Sequence, residues 1–290
     1  MDETSLRALL ERTLVPEPPI GPVADNSLRA GIKLRRRRRM RAAAGVVASA
    51  AVIAVAIPVV TGALGGIAAR LTGTAETIYV LHDSARAVTP ISTITNTAGK
   101  PIKVGPHPSG IAITPDGKTA YVIGGSTVTP ITTATGTPGT PIQVGGVQDL
   151  SVRGATAITP DGKTLYVANP DSGTVTPITT ATNTAGTPIR VGRGPGAIAI
   201  TPDGKTAYVV SGVDYPGWGT VTPITTATNT AGKPIRVGGD PLAIVVTRDG
   251  RTAYVLSSAA GTVTPIATAT NTPGKPIKAG KDPFALVMAP

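Results

Sequence analysis

The chain of 290 residues contains no cysteine. That excludes a disulfide framework and thiol chemistry, without fixing the compartment. Histidine occurs only at His82 and His107, and Glu76 is the one glutamate beyond residue 17. A catalytic zinc takes three protein ligands, so two histidines with scattered aspartates are a thin supply. No plausible Ser-His-acid set is present for nucleophilic catalysis. Aromatic residues make up 3% of the chain, which argues against a large aromatic core. Glycine (35) and proline (28) are abundant, with much Thr, Ala and Val, and this composition favours many short strands and turns. The glycine-rich stretch Val191–Gly196 is not a phosphate cradle, because no helix comes after it.

Charge is present, but unevenly. The formal net charge is +11, and residues 1–41 hold ten Lys/Arg against five Asp/Glu. The dense part is Arg35–Arg39 with Arg41. No aromatics interleave it, as a single-strand nucleic-acid surface requires, so no nucleic-acid partner is expected. The adjoining apolar stretch explains the arginines better. Residues 42–69 carry no charge, and about 20 apolar residues span a bilayer. Arginines before such a run mark the cytoplasmic side. A cleaved signal peptide is the rival, but its basic region lies near the first residue. The expectation is a cytoplasmic segment (1–41), a transmembrane helix (42–69), a linker (70–76) and an outside domain (77–290). Within the first segment, Asp2–Leu14 has helical spacing and an acidic start. It is either a docking helix for a cytoplasmic partner or a partly ordered tail, the second being preferred.

From residue 77 the chain repeats. The Tyr of a Tyr-Val strand recurs at Tyr79, Tyr121, Tyr166, Tyr208 and Tyr254, at intervals of 42, 45, 42 and 46. A Val-Thr-Pro-Ile segment starts at Val88, Val128, Val175, Val221 and Val263. A Pro-Ile segment starts at Pro101, Pro141, Pro188, Pro234 and Pro276. Each unit offers four strands, a to d, as in Ile198–Thr201, Ala207–Val210, Thr220–Thr225 and Pro234–Val237. The a–b turn, Thr-Pro-Asp-Gly, has Pro to fix φ and Gly to supply φ > 0. Four-stranded units of about 40 residues have the size of propeller blades. Prolines 90, 130, 177, 223 and 265 sit inside strand c, where a ladder N–H is lost. A bulge or weak c–d pairing, with a short strand d, is expected there.

Tyr-Val followed by small polar residues, after Ile-Thr-Pro-Asp-Gly-Lys-Thr, resembles the YVTN family of β-propeller repeats, common in bacterial surface proteins. The resemblance covers residues 77–290. The tetrad itself is degraded to Tyr-Val-Leu-His, Tyr-Val-Ile-Gly, Tyr-Val-Ala-Asn, Tyr-Val-Val-Ser and Tyr-Val-Leu-Ser. The family is often seven-bladed, whereas this chain has five units. Leu286–Pro290 aligns with Ile111–Pro115, and the first unit lacks strand a. The expected fold is therefore all-β, a five-bladed β-propeller closed by the C-terminal strand. An open five-unit arc that dimerises is the alternative.

Positions that vary between units are freer to serve a site. In propellers the d–a and b–c loops share one face, and here they hold His82, Asp83, His107, Asp149, Arg153, Asn169, Asp214, Tyr215, Trp218 and Asp240. Two insertions, Val147–Gly154 and Val213–Gly219, lengthen loops on that face, and the second contains the only Trp. An exposed Trp218 suits sugars, peptides or flat ligands; otherwise it plugs its loop. The opposite face should carry Lys118, Lys163, Lys205, Arg251, Lys100, Lys233 and Lys275 and should face the membrane. The expected function is non-catalytic binding or scaffolding at the cell surface, without cofactor or metal, toward an unknown extracellular ligand or protein. The alternatives are a lactonase-like metal-dependent hydrolase and a transmembrane sensor.

Overall fold

Runs such as Tyr208-Val209-Val210 are apolar at both parities. A strand of that kind must be covered on both faces of its sheet. The computed structural model describes residues 76–145, 155–212 and 218–289. They form five antiparallel sheets and no helix. The first sheet contains β1 (Thr77–His82), β2 (Ala87–Ser92), β3 (Thr97–Ala98) and β4 (Ile102–Lys103). The second contains β5 (Pro108–Ile113), β6 (Thr119–Gly124), β7 (Thr127–Thr132), β8 (Thr137–Pro138) and β9 (Ile142–Gln143). The third contains β10 (Thr156–Ile158), β11 (Thr164–Asn169), β12 (Thr174–Thr179), β13 (Thr184–Ala185) and β14 (Ile189–Arg190). The fourth contains β15 (Pro195–Ile200), β16 (Thr206–Ser211), β17 (Thr220–Thr225), β18 (Thr230–Ala231) and β19 (Ile235–Arg236). The fifth contains β20 (Pro241–Val246), β21 (Thr252–Ser257), β22 (Thr262–Ala267), β23 (Thr272–Pro273) and β24 (Ile277–Lys278). Strand order follows chain order, and the two short outer pieces both pair with strand c.

The core lies between sheets, not within them. Its four clusters each draw on two consecutive sheets. Between the third and fourth sheets, Tyr166, Ala168, Val175, Ile189 and Val191 meet Ala207, Val209 and Ile224. Strand periodicity explains the division: the Tyr parity looks forward to the next sheet, and the Val after it looks back. Each large side chain buried this way contributes about 1.5–3 kcal/mol.

Two local devices hold the repeat in shape. In the a–b turn, the Gly117 N–H reaches the Thr114 carbonyl at 2.7 Å, with Gly117 at φ +64°. The Thr114 hydroxyl donates to Asp116 at 2.6 Å, and the Lys118 N–H donates to the same carboxylate at 3.1 Å. Those bonds, the hydroxyl first, hold the Asp116 carboxyl below its ordinary range. The same set recurs at Asp161, Asp203 and Asp249. On the outer side, the strand-c proline faces a bulge, as expected, but strand d is split in two there, its first piece formed by residues read as the c–d turn. In the fourth sheet Ile224 pairs with Ala231 and Val221 with Ile235, so residues 232–234 bulge past Thr222-Pro223. The Gly232 N–H still donates to the Pro223 carbonyl at 2.7 Å. Gly232 is required for space, since a Cβ there would stand 3.1 Å from Pro223 Cγ. The split strand also carries outward-facing Lys or Arg (Lys103, Arg190, Arg236, Lys278), and short charged edges resist stray strand pairing.

The expected closing strand is not formed. Residues 283–289 are in no strand, Val287 is 85% exposed, and among the described strands β1 pairs only with β2. The outer edge of β1 is thus open, and its sheet is the one that lacks strand a. The backward face of that sheet is uncovered too, with Ile78 54% exposed where Leu165 of the third sheet is buried. The expected cytoplasmic segment (1–41), membrane helix (42–69) and linker up to residue 75 lie outside the described residues. No helix among the described residues is long and apolar enough to cross a membrane.

Candidate functional site

Hydrogen bonds sort the connections into two sides. The c–d turns lie against the a–b turns, as in Thr133 N–H to the Lys118 carbonyl and Thr226 N–H to that of Lys205, both 3.0 Å. The d–a loops lie against the b–c loops, as in Gly212 N–H to the Gly194 carbonyl (3.2 Å) and Ser258 N–H to that of Asp240 (2.8 Å). The described parts of the d–a and b–c loops therefore share one side. Glu76 joins the other: its carbonyl accepts from the Thr93 N–H at 3.1 Å and from the Thr93 hydroxyl at 2.9 Å. The chain thus enters the repeats on the side of the a–b and c–d turns.

Of the expected site residues, the structure brings one pair together. His107 Nδ1 lies 3.2 Å from Asp83 Oδ1, linking the loop ahead of β5 to the b–c loop of the first sheet. Both side chains are well exposed, and His82 beside them is exposed as well. Trp218 is 67% exposed, while residues 213–217 of its loop lie outside the described residues. Asp149, Arg153, Asp214 and Tyr215 lie outside the described residues.

Two expected site residues have structural work instead. Asn169 is fully buried, and its Nδ2 donates to Thr174 Oγ1 (3.1 Å) and Thr176 Oγ1 (2.8 Å). It ties strand b to strand c, and its amide lies beside Gly145 of the d–a loop. Asp240 sits at φ +53°, at the loop position also held by His107 (+51°), Gly194 (+57°) and Asp282 (+51°). Left-handed backbone favours Gly, Asn, Asp and His, so the conformation accounts for these residue types. The signal was available in the sequence, because each of the four immediately precedes a proline, and three of those prolines open a strand a. Desolvation by the surrounding loop pushes the Asp240 carboxyl up, although the residue is exposed.

Sequence reasoning missed a repeated contact between sheets. The Tyr121 hydroxyl donates to Asn183 Oδ1 (2.7 Å), Tyr166 to Asn229 (2.6 Å) and Tyr208 to Asn271 (2.6 Å). Each asparagine belongs to the c–d turn of the next sheet and sits near φ +53° to +55°. The second sheet has Gly136 (φ +66°) at that position, so Tyr79 of the first sheet lacks this acceptor. The tyrosine phenols are shielded from water; burial, aided by the Asp161 charge, pushes Tyr166 up to about 12.

Chemistry has little to build on here. Among the described residues no group of three His, Cys, Asp or Glu side chains stands close enough to hold a metal ion. A concavity of about 460 Å³ lies on the outer bulges of the fourth and fifth sheets, beside Pro223, Lys233, Arg236 and Asn271. It is made of repeated scaffold positions and sits away from the loop side. The turn cations are half-neutralised locally: Lys118, Lys163, Lys205 and Arg251 lie 3.5 to 4.0 Å from the aspartate of their own turn.

Short antiparallel sheets stacked face to face along the chain define a β-propeller-like protein. Solved structures agree on the fold. Hydrazine synthase of Kuenenia stuttgartiensis is similar at 23% identity and a TM-score of 0.59, over 68% of this chain and 61% of that one. A functionally unknown protein from Desulfotomaculum acetoxidans DSM 771 is similar at 21% identity and a TM-score of 0.56, over 68% of this chain and 64% of that one. The matched region is thus less than two thirds of either. No family model and no curated protein matches the chain.

Proposed function

We propose that this is a membrane-anchored protein of the YVTN type whose propeller-like repeats, held outside the cytoplasm, bind a ligand or protein through the d–a and b–c loop side. The observation that carries the reading is Trp218, the chain's only tryptophan, exposed on a b–c loop. A large exposed aromatic on an irregular loop suits the face of a sugar ring or an extended peptide. The His107–Asp83 pair adds a polar group on the same side. Orientation follows from the anchor. Residues 42–69 span the membrane with the arginine run inside. The chain reaches Glu76 on the turn side, so that side faces the bilayer and Trp218 points away. Lipid attraction by the turn lysines is weak in this reading, because each shares its charge with a neighbouring aspartate and exposed pairs are screened.

A single tryptophan makes the test direct. The full-length chain in mild detergent is titrated with panels of oligosaccharides and of extended peptides while Trp218 fluorescence is followed. A saturable fluorescence shift in the wild type, together with calorimetric binding that Trp218→Ala weakens at least about tenfold while the far-ultraviolet spectrum stays unchanged, is the expected result. Saturable binding to the Trp218→Ala chain at wild-type affinity, measured calorimetrically, defeats the assignment of this loop.

A further inference from the structure

The repeating junction has two halves, and the terminal sheets each leave one unused. The forward half, Tyr208 with Ile235 in the fourth sheet, is buried by the fifth sheet. In the fifth sheet the matching Tyr254 is only half-buried and Ile277 is 52% exposed. The backward half, Leu165 with Val167 in the third sheet, is buried by the second sheet. In the first sheet the matching Ile78 and Val80 are exposed. Repeat arrays normally end in polar capping faces, and these ends are apolar. Of the seven large hydrophobic side chains exposed among the described residues, five lie at the ends: Ile78, Val80, Ile277, Phe284 and Val287.

The ends also match in their polar and backbone groups. Tyr254 makes no bond to a following asparagine, and Asn96 (φ +52°) holds the left-handed turn position with no preceding tyrosine. Residues 283–289, Pro-Phe-Ala-Leu-Val-Met-Ala, repeat the pattern of β20, Pro-Leu-Ala-Ile-Val-Val, yet pair with no strand among the described residues. β1 has the free edge on which every other sheet carries strand a. In the array, the strand a that comes after one sheet always belongs to the next. Placing a first sheet against the fifth therefore sets 283–289 along β1 in the same movement.

We propose that a second copy of this chain makes that contact. The fifth sheet of one copy stacks on the first sheet of its partner, Tyr254 donates to the partner's Asn96, and residues 283–289 complete the partner's first sheet. Among the described residues of one copy both end faces stay exposed and 283–289 stay unpaired, so the chain's own first sheet does not make this contact. The register follows from the second sheet, where Ile111 pairs with Val122, so Leu286 faces the partner's Val80. A head-to-tail contact of this kind closes when both copies donate.

The absence of cysteine supplies the experiment. Full-length Leu286→Cys and Val80→Cys chains, differently tagged, are co-expressed and oxidised in mild detergent. A covalent heterodimer is expected, with none from Leu286→Cys and Thr133→Cys, a pair that the register keeps apart. The wild-type chain should show at least about twice the single-chain mass by detergent-corrected light scattering. Ile78→Arg, at a position exposed within one copy, should return it to single-chain mass with its spectrum intact. A wild-type single-chain mass overturns the proposal, as does a Leu286→Cys/Val80→Cys double variant that links only within one chain, which would mean internal closure.

Discussion

Replacing Gly136 by Asn should install the one missing link in the Tyr–Asn series. The first junction has glycine where Asn183, Asn229 and Asn271 accept a tyrosine hydroxyl in the next three. Gly136 already sits at φ +66°, close to the +53° to +55° of those asparagines. A Cβ there would come 3.3 Å from Ile102 Cδ1, the free end of a flexible side chain that needs to yield only a few tenths of an ångström. A hydrogen bond of this kind is worth about 1 kcal/mol net. Losing glycine's freedom in the unfolded chain adds about 0.4–1 kcal/mol. The left-handed backbone costs an L-residue about 1 kcal/mol, less for Asn, so these two backbone effects roughly cancel. The net expectation is a gain of about 1 kcal/mol, or about 2–4 °C in Tm for a domain of this size. Thermal unfolding of four full-length chains tests it: wild type, Gly136→Asn, Tyr79→Phe and the double variant. The gain should vanish in the Tyr79→Phe background, leaving a coupling of about 1 kcal/mol in the cycle. An equal gain in both backgrounds would refute the reasoning, since the asparagine would then act through the backbone alone.

Gly232→Ala should destabilise by about 1–3 kcal/mol in denaturant titration, because the new methyl meets a stiff proline ring at 3.1 Å; a neutral or stabilising result would show that the bulge relaxes freely. Alkaline titration tests the buried phenols. Folding favours protonated Tyr166, whose pKa is raised to about 12 from an ordinary 10.0, so its contribution is complete below pH 10 and is lost as pH rises toward 12. Tyr121 and Tyr208 shift the same way, burial being the main cause. Phenolate absorbance should therefore develop together with loss of the β spectrum above pH 10, and normal titration of all six tyrosines in a folded chain would contradict the burial.

The repeat, the strands and their turns were legible because each rests on local chemistry. Thr-Pro-Asp-Gly-Lys-Thr closes on itself through Thr114, Asp116 and Gly117, and no distant residue is needed to specify it. The bulge against strand c was legible for the same reason, since a proline without an N–H announces a gap, but the first short piece of strand d was read as turn. What depends on residues about a unit and a half apart was not. Tyr121 and Asn183 lie 62 positions apart, and either looks like an ordinary repeat residue when read alone. Asn169 was misread because a polar residue at a variable position has no local mark of burial; only the neighbouring Thr174 and Thr176 hydroxyls show why it turns inward. His107 and Asp240 were ambiguous in another way, because a left-handed backbone and a binding site ask for overlapping sets of residues. Ring closure was inferred from the likeness of 286–290 to a strand a, but likeness of a segment does not bring the two ends of an array within reach of each other.

Because the core lies wholly between sheets, a sheet is a divider and the junction is the true unit. Excising one complete repeat in register, the third for example, would leave two halves that still fit. Tyr121 would then face Asn229 in place of Asn183, and Ile123 would face Val209 in place of Val167. Gene duplication or loss at the period of the repeat can thus lengthen or shorten the protein without any new packing being invented. Unit number is the most easily changed property of such a chain, whereas the loop insertions around Trp218, tied to one copy, are the part that such exchange would erase.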